Sequence, residues 1–139
     1  MRSNGRADGR PRPRLIFLTQ WFDPEPTFKG ALFARALAHS GYDVEVVTGF
    51  PNYPGGKLYD GYRLRLMQRE SDGDVAVTRV ALYPSHDQSA VGRALNYLSF
   101  MLSAFLYITF RARRADVIYC YHPPMTVGVA ATLSGLLRR

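Results

Sequence analysis

Four side chains stand where this sequence could do chemistry. His122 closes the apolar run DVIYCY and is followed by Pro123 and Pro124. That is the C-terminal end of a predicted strand, where α/β folds present reactive groups. A histidine there could donate to a hydroxyl or serve as acid or base, or it could be a loop residue with no task. His86, in YPSHDQSA, could contact a ligand together with Asp87, while Ser85 or Asp87 could instead cap the helix that follows. Lys29 and Gly30 end the stretch DPEPTFKG at the start of a helical periodicity. Free helix N–H groups, a lysine and a glycine permitting close approach make an anion site; the plainer alternative is a solvated helix-start lysine. His39, near the end of that helix, is assigned to its dipole.

Other chemistries lack their residues. No GxGxxG follows the first strand, so a dinucleotide site and a nucleotide-sugar epimerase are unsupported, and no P-loop is present. No Cys/His cluster has metal-ligand spacing, and no metal is expected. Cys120, the single cysteine, has no internal disulfide partner, which fits a reducing compartment.

The elements that must position these residues follow from periodicity. Residues 15–22, LIFLTQWF, read as a buried strand between proline-rich stretches. Leu32, Phe33, Ala36 and Leu37 mark an amphipathic helix from about Lys29, with Gly41 at its C-terminal stop, and YDVEVVT reads as a second strand. Strand, helix and strand in this span predict a βαβ unit and a parallel sheet. Residues 49–62, GFPNYPGGKLYDGY, form a loop at the ligand-bearing edge. Residues 62–68 and 75–82 alternate around the turn SDGD, as a hairpin does.

Residues 94–110 carry no charge and are flanked by Arg93 and by Arg111, Arg113 and Arg114. They fall short of the roughly 20 residues needed to cross a bilayer and contain Asn96, Ser99, Ser103 and Thr109. A helix buried against the sheet and an interfacial membrane helix both remain open. DVIYCY is a third core strand, and TVGVAATLSGLL opens another helix.

With 139 residues and a net charge of +7, the chain suits one domain and an anionic partner such as nucleic acid, a membrane surface or a phosphorylated substrate. Residues 1–14 read as a disordered basic leader, and residues 15–139 as the domain. LIFL is too short for the apolar core of a signal peptide, so the expectation is a protein that is not exported.

Four stretches, LTQWFDPEPTFKG, TGFPNYPGGKLYDGY, YPSHDQSAVGRALNYLSF and DVIYCYHPPMTVG, in this order and spacing, resemble the N-terminal domain of family 4 glycosyltransferases, in the fucosamine-transferase-like and colanic-acid-type subgroup. The resemblance implies an α/β fold, the Rossmann-like N-terminal half of a GT-B enzyme. The expectation is that this half is incomplete at its C-terminus and that the donor-binding C-terminal domain is absent. It implies retention of configuration, no cofactor, and a nucleotide-sugar as co-substrate. Thr27, Phe28, Lys29 and Gly30 would face the donor phosphates, Asn52, Tyr53 and His86 would line the acceptor side, and His122 would take the catalytic place, although Tyr121 could hold it if the register shifts by one. Many relatives carry two glycines where this chain has Thr27 and Phe28. The implied acceptor is a lipid-linked saccharide, which places the protein in the cytoplasm against the anionic inner face of the cell membrane, in surface-polysaccharide synthesis and without a nucleic-acid partner. The alternative is a non-catalytic binding module derived from such an enzyme.

Overall fold

The computed structural model describes residues 9–85, 89–121 and 125–138. Strand β1 (Arg14–Thr19), helix α1 (Ala31–His39) and strand β2 (Asp43–Gly49) form the βαβ unit. A long loop leads to the hairpin β3 (Met67–Asp72) and β4 (Val75–Val80), then to helix α2 (Ala90–Phe110), strand β5 (Val117–Tyr121) and helix α3 (Thr126–Leu137). The five strands form one sheet in the order β3-β4-β2-β1-β5. β4, β2, β1 and β5 pair in parallel, while β3 is antiparallel to β4. The protein thus has the predicted Rossmann-like α/β fold, with a mixed and mostly parallel sheet.

Alternation along the strands divides the core. Leu15 and Phe17 of β1, Val44 and Val46 of β2, and Val75 and Val77 of β4 meet Phe33, Ala34 and Leu37 of α1. Ile16 and Leu18, Val47 and Val80 point the other way, onto Phe100, Ala104, Tyr107 and Ile108 of α2 and Val127 and Ala130 of α3. Each fully buried large side chain contributes about 1.5–3 kcal/mol relative to exposure. Gly41, at φ 100°, takes the left-handed turn that ends α1.

The sequence segment 94–110 proves to be part of a longer helix. Ser89, rather than Ser85, caps it, accepting from the Gly92 N–H at 3.0 Å, while Asp87 lies outside the described residues, and α2 then runs for 21 residues. By length and composition it could cross a membrane. Its Asn96, Phe100, Ala104 and Ile108 are nonetheless buried under the sheet. The opposite face is apolar too: Val91, Leu95, Leu98, Leu102, Leu106 and Phe110 are exposed. Val129, Leu133, Leu136 and Leu137 of the neighbouring α3 are also exposed. The reading of this segment as a helix buried against the sheet therefore holds for one face, and the other face is apolar and exposed. β5 lies at an edge of the sheet rather than within its core, with Val117 and Cys120 exposed.

Two buried charges bind the elements. Glu45 of β2 accepts from the Arg14 guanidinium and the Tyr107 hydroxyl, and at 2.8 Å from the Thr78 hydroxyl. This joins β1, β2, β4 and α2, and burial together with the Glu45 contact raises the Tyr107 pKa. Arg79 of β4, 1% exposed, donates to Glu70 at 2.8 Å and to the carbonyls of Gly49 at 3.0 Å and Asp23 at 2.6 Å, beneath the ring of Tyr62. Truncating a buried charged partner leaves its acceptors unpaired. Arg79→Ala is expected to lower unfolding free energy in urea by about 3 kcal/mol, against well under half of that for exposed Arg35→Ala; equal small losses would show that Arg79 does not hold these segments.

Candidate functional site

In a parallel sheet the loops leaving the C-terminal ends of the strands form the ligand edge, and the crevice opens where the strand order reverses. Here β1 has β2 on one side and β5 on the other, so the loop 20–30 rises from that reversal. Two neighbouring features are built on it, one on each face of the sheet.

The first is the corner around Lys29. Its Nζ donates to the Tyr119 hydroxyl and lies 4.9 Å from the ring centroid of Phe33, 5.1 Å from that of Tyr119 and 5.3 Å from that of Tyr121. The ammonium is held by cation–π attraction and a hydrogen bond instead of reaching into open solvent. The helix N-terminus beside it carries an internal anion: the Asp23 carboxylate accepts from the Ala31 N–H at 2.6 Å. Gly30 is required by this contact, because a Cβ there would lie 2.0 Å from Asp23 Oδ2. Thr27 is half-buried beside Gly30, and Phe28 is 99% exposed. Thr27, Phe28, Lys29 and Gly30 thus share one loop at the strand reversal, with Lys29 turned to the β5 tyrosines.

The second feature is a cavity of about 270 Å³ lined by Trp21, Asn52, Tyr53, Pro54, Gly56, Ser85, Arg93, Asn96 and Tyr97. Trp21 and Tyr53 stack with centroids 4.4 Å apart. Behind them runs a buried amide chain. Gln20 Nε2 donates to Asn96 Oδ1 at 2.7 Å, and Asn96 Nδ2 donates to Asn52 Oδ1 at 3.2 Å and to the Tyr83 carbonyl at 2.7 Å. Asn52 Nδ2 in turn donates to the Phe50 carbonyl at 2.9 Å. A rigid aromatic wall beside fixed amides suits a ligand with apolar C–H faces and hydroxyl rims.

Glu25, from the same loop as Lys29, fixes this cavity from behind. Its carboxylate accepts from the backbone N–H groups of Asn52 at 3.1 Å, Tyr53 at 2.9 Å and Phe22 at 3.4 Å. Burial raises its pKa to about 7, because the desolvation of the carboxylate outweighs those three N–H groups and the Arg79 charge.

Of the residues singled out from sequence, Asn52 and Tyr53 come together in the cavity, and Thr27 to Gly30 form the other corner. His86 and His122 lie outside the described residues. Sequence reading missed Trp21, Glu25, Arg93, Asn96 and Tyr97. A polar Asn96 in an uncharged apolar helix was the available signal, since a buried amide must find partners. Among the described residues no group of three or more His, Cys, Asp or Glu side chains could hold a metal ion.

A family model described as a glycosyl transferase 4-like domain matches residues 31–139. No curated protein and no solved structure matches the chain.

The Glu25 pKa lies above that of a glutamate in the unfolded chain, so the folded state holds its proton to higher pH. Its ionisation should therefore cost stability as pH rises from about 4.5 through 7. Glu25→Gln keeps an acceptor for the Asn52 and Tyr53 N–H groups and removes the titration. Unfolding measured across this range should show the wild type losing up to about 3 kcal/mol relative to the variant; parallel pH profiles would refute the assignment.

Proposed function

We propose, from the premise that this chain belongs to the glycosyl transferase 4-like domain family, that it is the acceptor-side domain of a retaining GT-B glycosyltransferase of surface-polysaccharide synthesis, in the fucosamine-transferase-like and colanic-acid-type subgroup. The donor is a nucleotide-sugar bound mainly by a second domain, and the acceptor is a lipid-linked saccharide. The observation that carries the acceptor assignment is the cavity of stacked Trp21 and Tyr53 backed by Asn52 and Asn96. It sits beside a helix whose outer face is a stripe of exposed leucines.

In this reading the two corners divide the work. The cavity receives the acceptor, its aromatic wall packing on the sugar ring while Asn52 orients a hydroxyl. The loop with Lys29 turns toward the donor phosphates, with His86 on the acceptor side and His122 in the catalytic place. No cofactor or metal takes part. Stabilisation of the leaving phosphate rests mainly on groups of the second domain.

The apolar stripe of α2 and the exposed Arg111, Arg113 and Arg114 at its end give the membrane contact. A contiguous apolar surface bordered by arginines suits an anionic bilayer, where the side chains insert and the guanidiniums meet phosphates. Docking at the cytoplasmic face brings the cavity to the lipid-linked acceptor.

Transfer of a labelled sugar from a nucleotide-sugar to a prenyl-diphosphate-linked saccharide tests the reading. The purified 139-residue chain alone is expected to give no product. Combined with a donor-binding domain it should transfer, and Asn52→Ala should lower kcat/KM for the acceptor about tenfold or more with the donor KM unchanged. Transfer by the chain alone, or an Asn52 effect confined to the donor, would overturn the division of roles.

The membrane contact is tested separately by co-sedimentation. The protein should bind phosphatidylglycerol-containing vesicles, bind neutral ones less, and release as salt is raised. Replacing Arg111, Arg113 and Arg114 with glutamine should weaken binding severalfold, and so should Leu98→Asp with Leu102→Asp, with folding retained because both leucines are exposed. Unchanged binding in both variants would remove the membrane from the proposal.

A further inference from the structure

Helix α2 and the β3–β4 hairpin leave a trough between them, on the face of the sheet away from α1. Leu66 and Met67 border it from the hairpin and Leu106 and Phe110 from the helix, around a volume of about 670 Å³. That lies within the roughly 300–1,000 Å³ of small-molecule sites. All four side chains are apolar and exposed.

The trough runs into charge. Tyr107 and Arg111 line both it and a second cavity of about 270 Å³, whose wall holds Arg14, Arg69 and Arg113 with the carboxylates of Asp43, Glu45 and Glu70. The carboxylates are engaged already: Asp43 and Glu45 accept from Arg14, and Glu70 accepts from Arg79. Among the described residues no salt bridge reaches Arg69 or Arg111. Arg69 pairs with Thr78 across the hairpin, so its side chain leaves the sheet on the face where Thr78 meets Tyr107. Burial raises the Tyr107 pKa, and the Arg69 charge, the smallest influence on it, acts the other way.

An apolar trough ending at two guanidiniums free of carboxylates matches a molecule in which a hydrocarbon chain adjoins an anion. Resting on the membrane contact proposed above, we propose that this trough holds a single anionic phospholipid, with one acyl chain along Leu66, Met67, Leu106 and Phe110 and the phosphate between Arg69 and Arg111. The bilayer is its source, because Leu106 and Phe110 also belong to the apolar stripe that would meet the membrane. The saccharide acceptor is a different ligand. The charged cavity lies at the first residues of β1 and β2, opposite the ligand edge, and about 22 Å of helix separate Asn96 from Arg111. A sugar in the Trp21 cavity and the phosphate next to it cannot lie so far apart. Selectivity among phospholipids follows from charge: phosphatidylcholine carries the same phosphate with a cation of its own, which Arg69 and Arg111 repel.

Short-chain lipids below their micelle-forming concentration separate this site from docking on a bilayer. The 139-residue protein is titrated calorimetrically with dihexanoyl phosphatidylglycerol, dihexanoyl phosphatidylcholine, glycerol 3-phosphate and octanoate. One equivalent of the phosphatidylglycerol is expected to bind about tenfold or more tighter than each of the others. Arg69→Gln should reduce it to the phosphatidylcholine level, and Phe110→Ser should weaken both lipids; both side chains are exposed, so folding is retained. Leu98→Asp with Leu102→Asp, outside the trough, should leave short-chain binding unchanged while vesicle co-sedimentation falls. Equal binding of the two lipids, or no binding by a chain that circular dichroism shows folded, would overturn the proposal and leave vesicle docking standing. Octanoate or glycerol 3-phosphate binding as tightly as phosphatidylglycerol would identify a fatty-acid or bare anion site and overturn it too. Selective short-chain binding by a protein that ignores vesicles would instead overturn the membrane contact and leave the lipid site standing.

Discussion

A guanidinium removed from water must be given hydrogen-bond acceptors, and Arg79 can obtain them only if separate segments converge on it. Its acceptors come from the loop after β1, through the Asp23 carbonyl, from the end of β2, through Gly49, and from β3, through Glu70. The first two are the places from which the candidate site grows: Trp21, Asp23, Glu25 and Lys29 leave from one, and Asn52 and Tyr53 from the other. Arg79 thus sets the spacing of two loops that are otherwise rich in proline and glycine. Glu25 completes the arrangement by crossing from the first loop to the backbone of the second. The Arg79 charge also acts on Glu25, as the smallest of the influences on its pKa.

The parts of the fold governed by local periodicity were legible in the sequence. The apolar run from Leu15 and the segment YDVEVVT marked strands, their succession through one helix marked them as parallel, the three-and-four spacing of Leu32 to Leu37 marked α1, and SDGD marked the turn between β3 and β4. Strand order was not legible, because Val117 to Tyr121 read as a core strand and yet form an edge. Nor was the start of α2, since Ala90 to Arg93 differ in polarity from the run that follows and their helicity depends on the Ser89 cap.

The site was legible to the extent that its residues sit in conspicuous loops. The asparagine and tyrosine of FPNYPGG stood out and do meet in one cavity. Trp21 and Glu25 did not, because stacking and a through-space carboxylate contact join residues about thirty positions apart, and no spacing rule announces that. Asn96 was read as a mark against a membrane helix, when its role is to link Gln20 to Asn52 across the interior. Helix α2 shows the general difficulty: an apolar run records that both faces avoid water and cannot say that one meets the sheet and the other remains outside.

The Asp23 carboxylate at the start of α1 holds from within the chain a place that favours negative charge. An anion arriving there would find the Ala31 N–H already engaged by a carboxylate tethered eight residues away in the same chain. A tether of that length keeps that carboxylate at an effective concentration in the millimolar range or above, so the competitor never dilutes away.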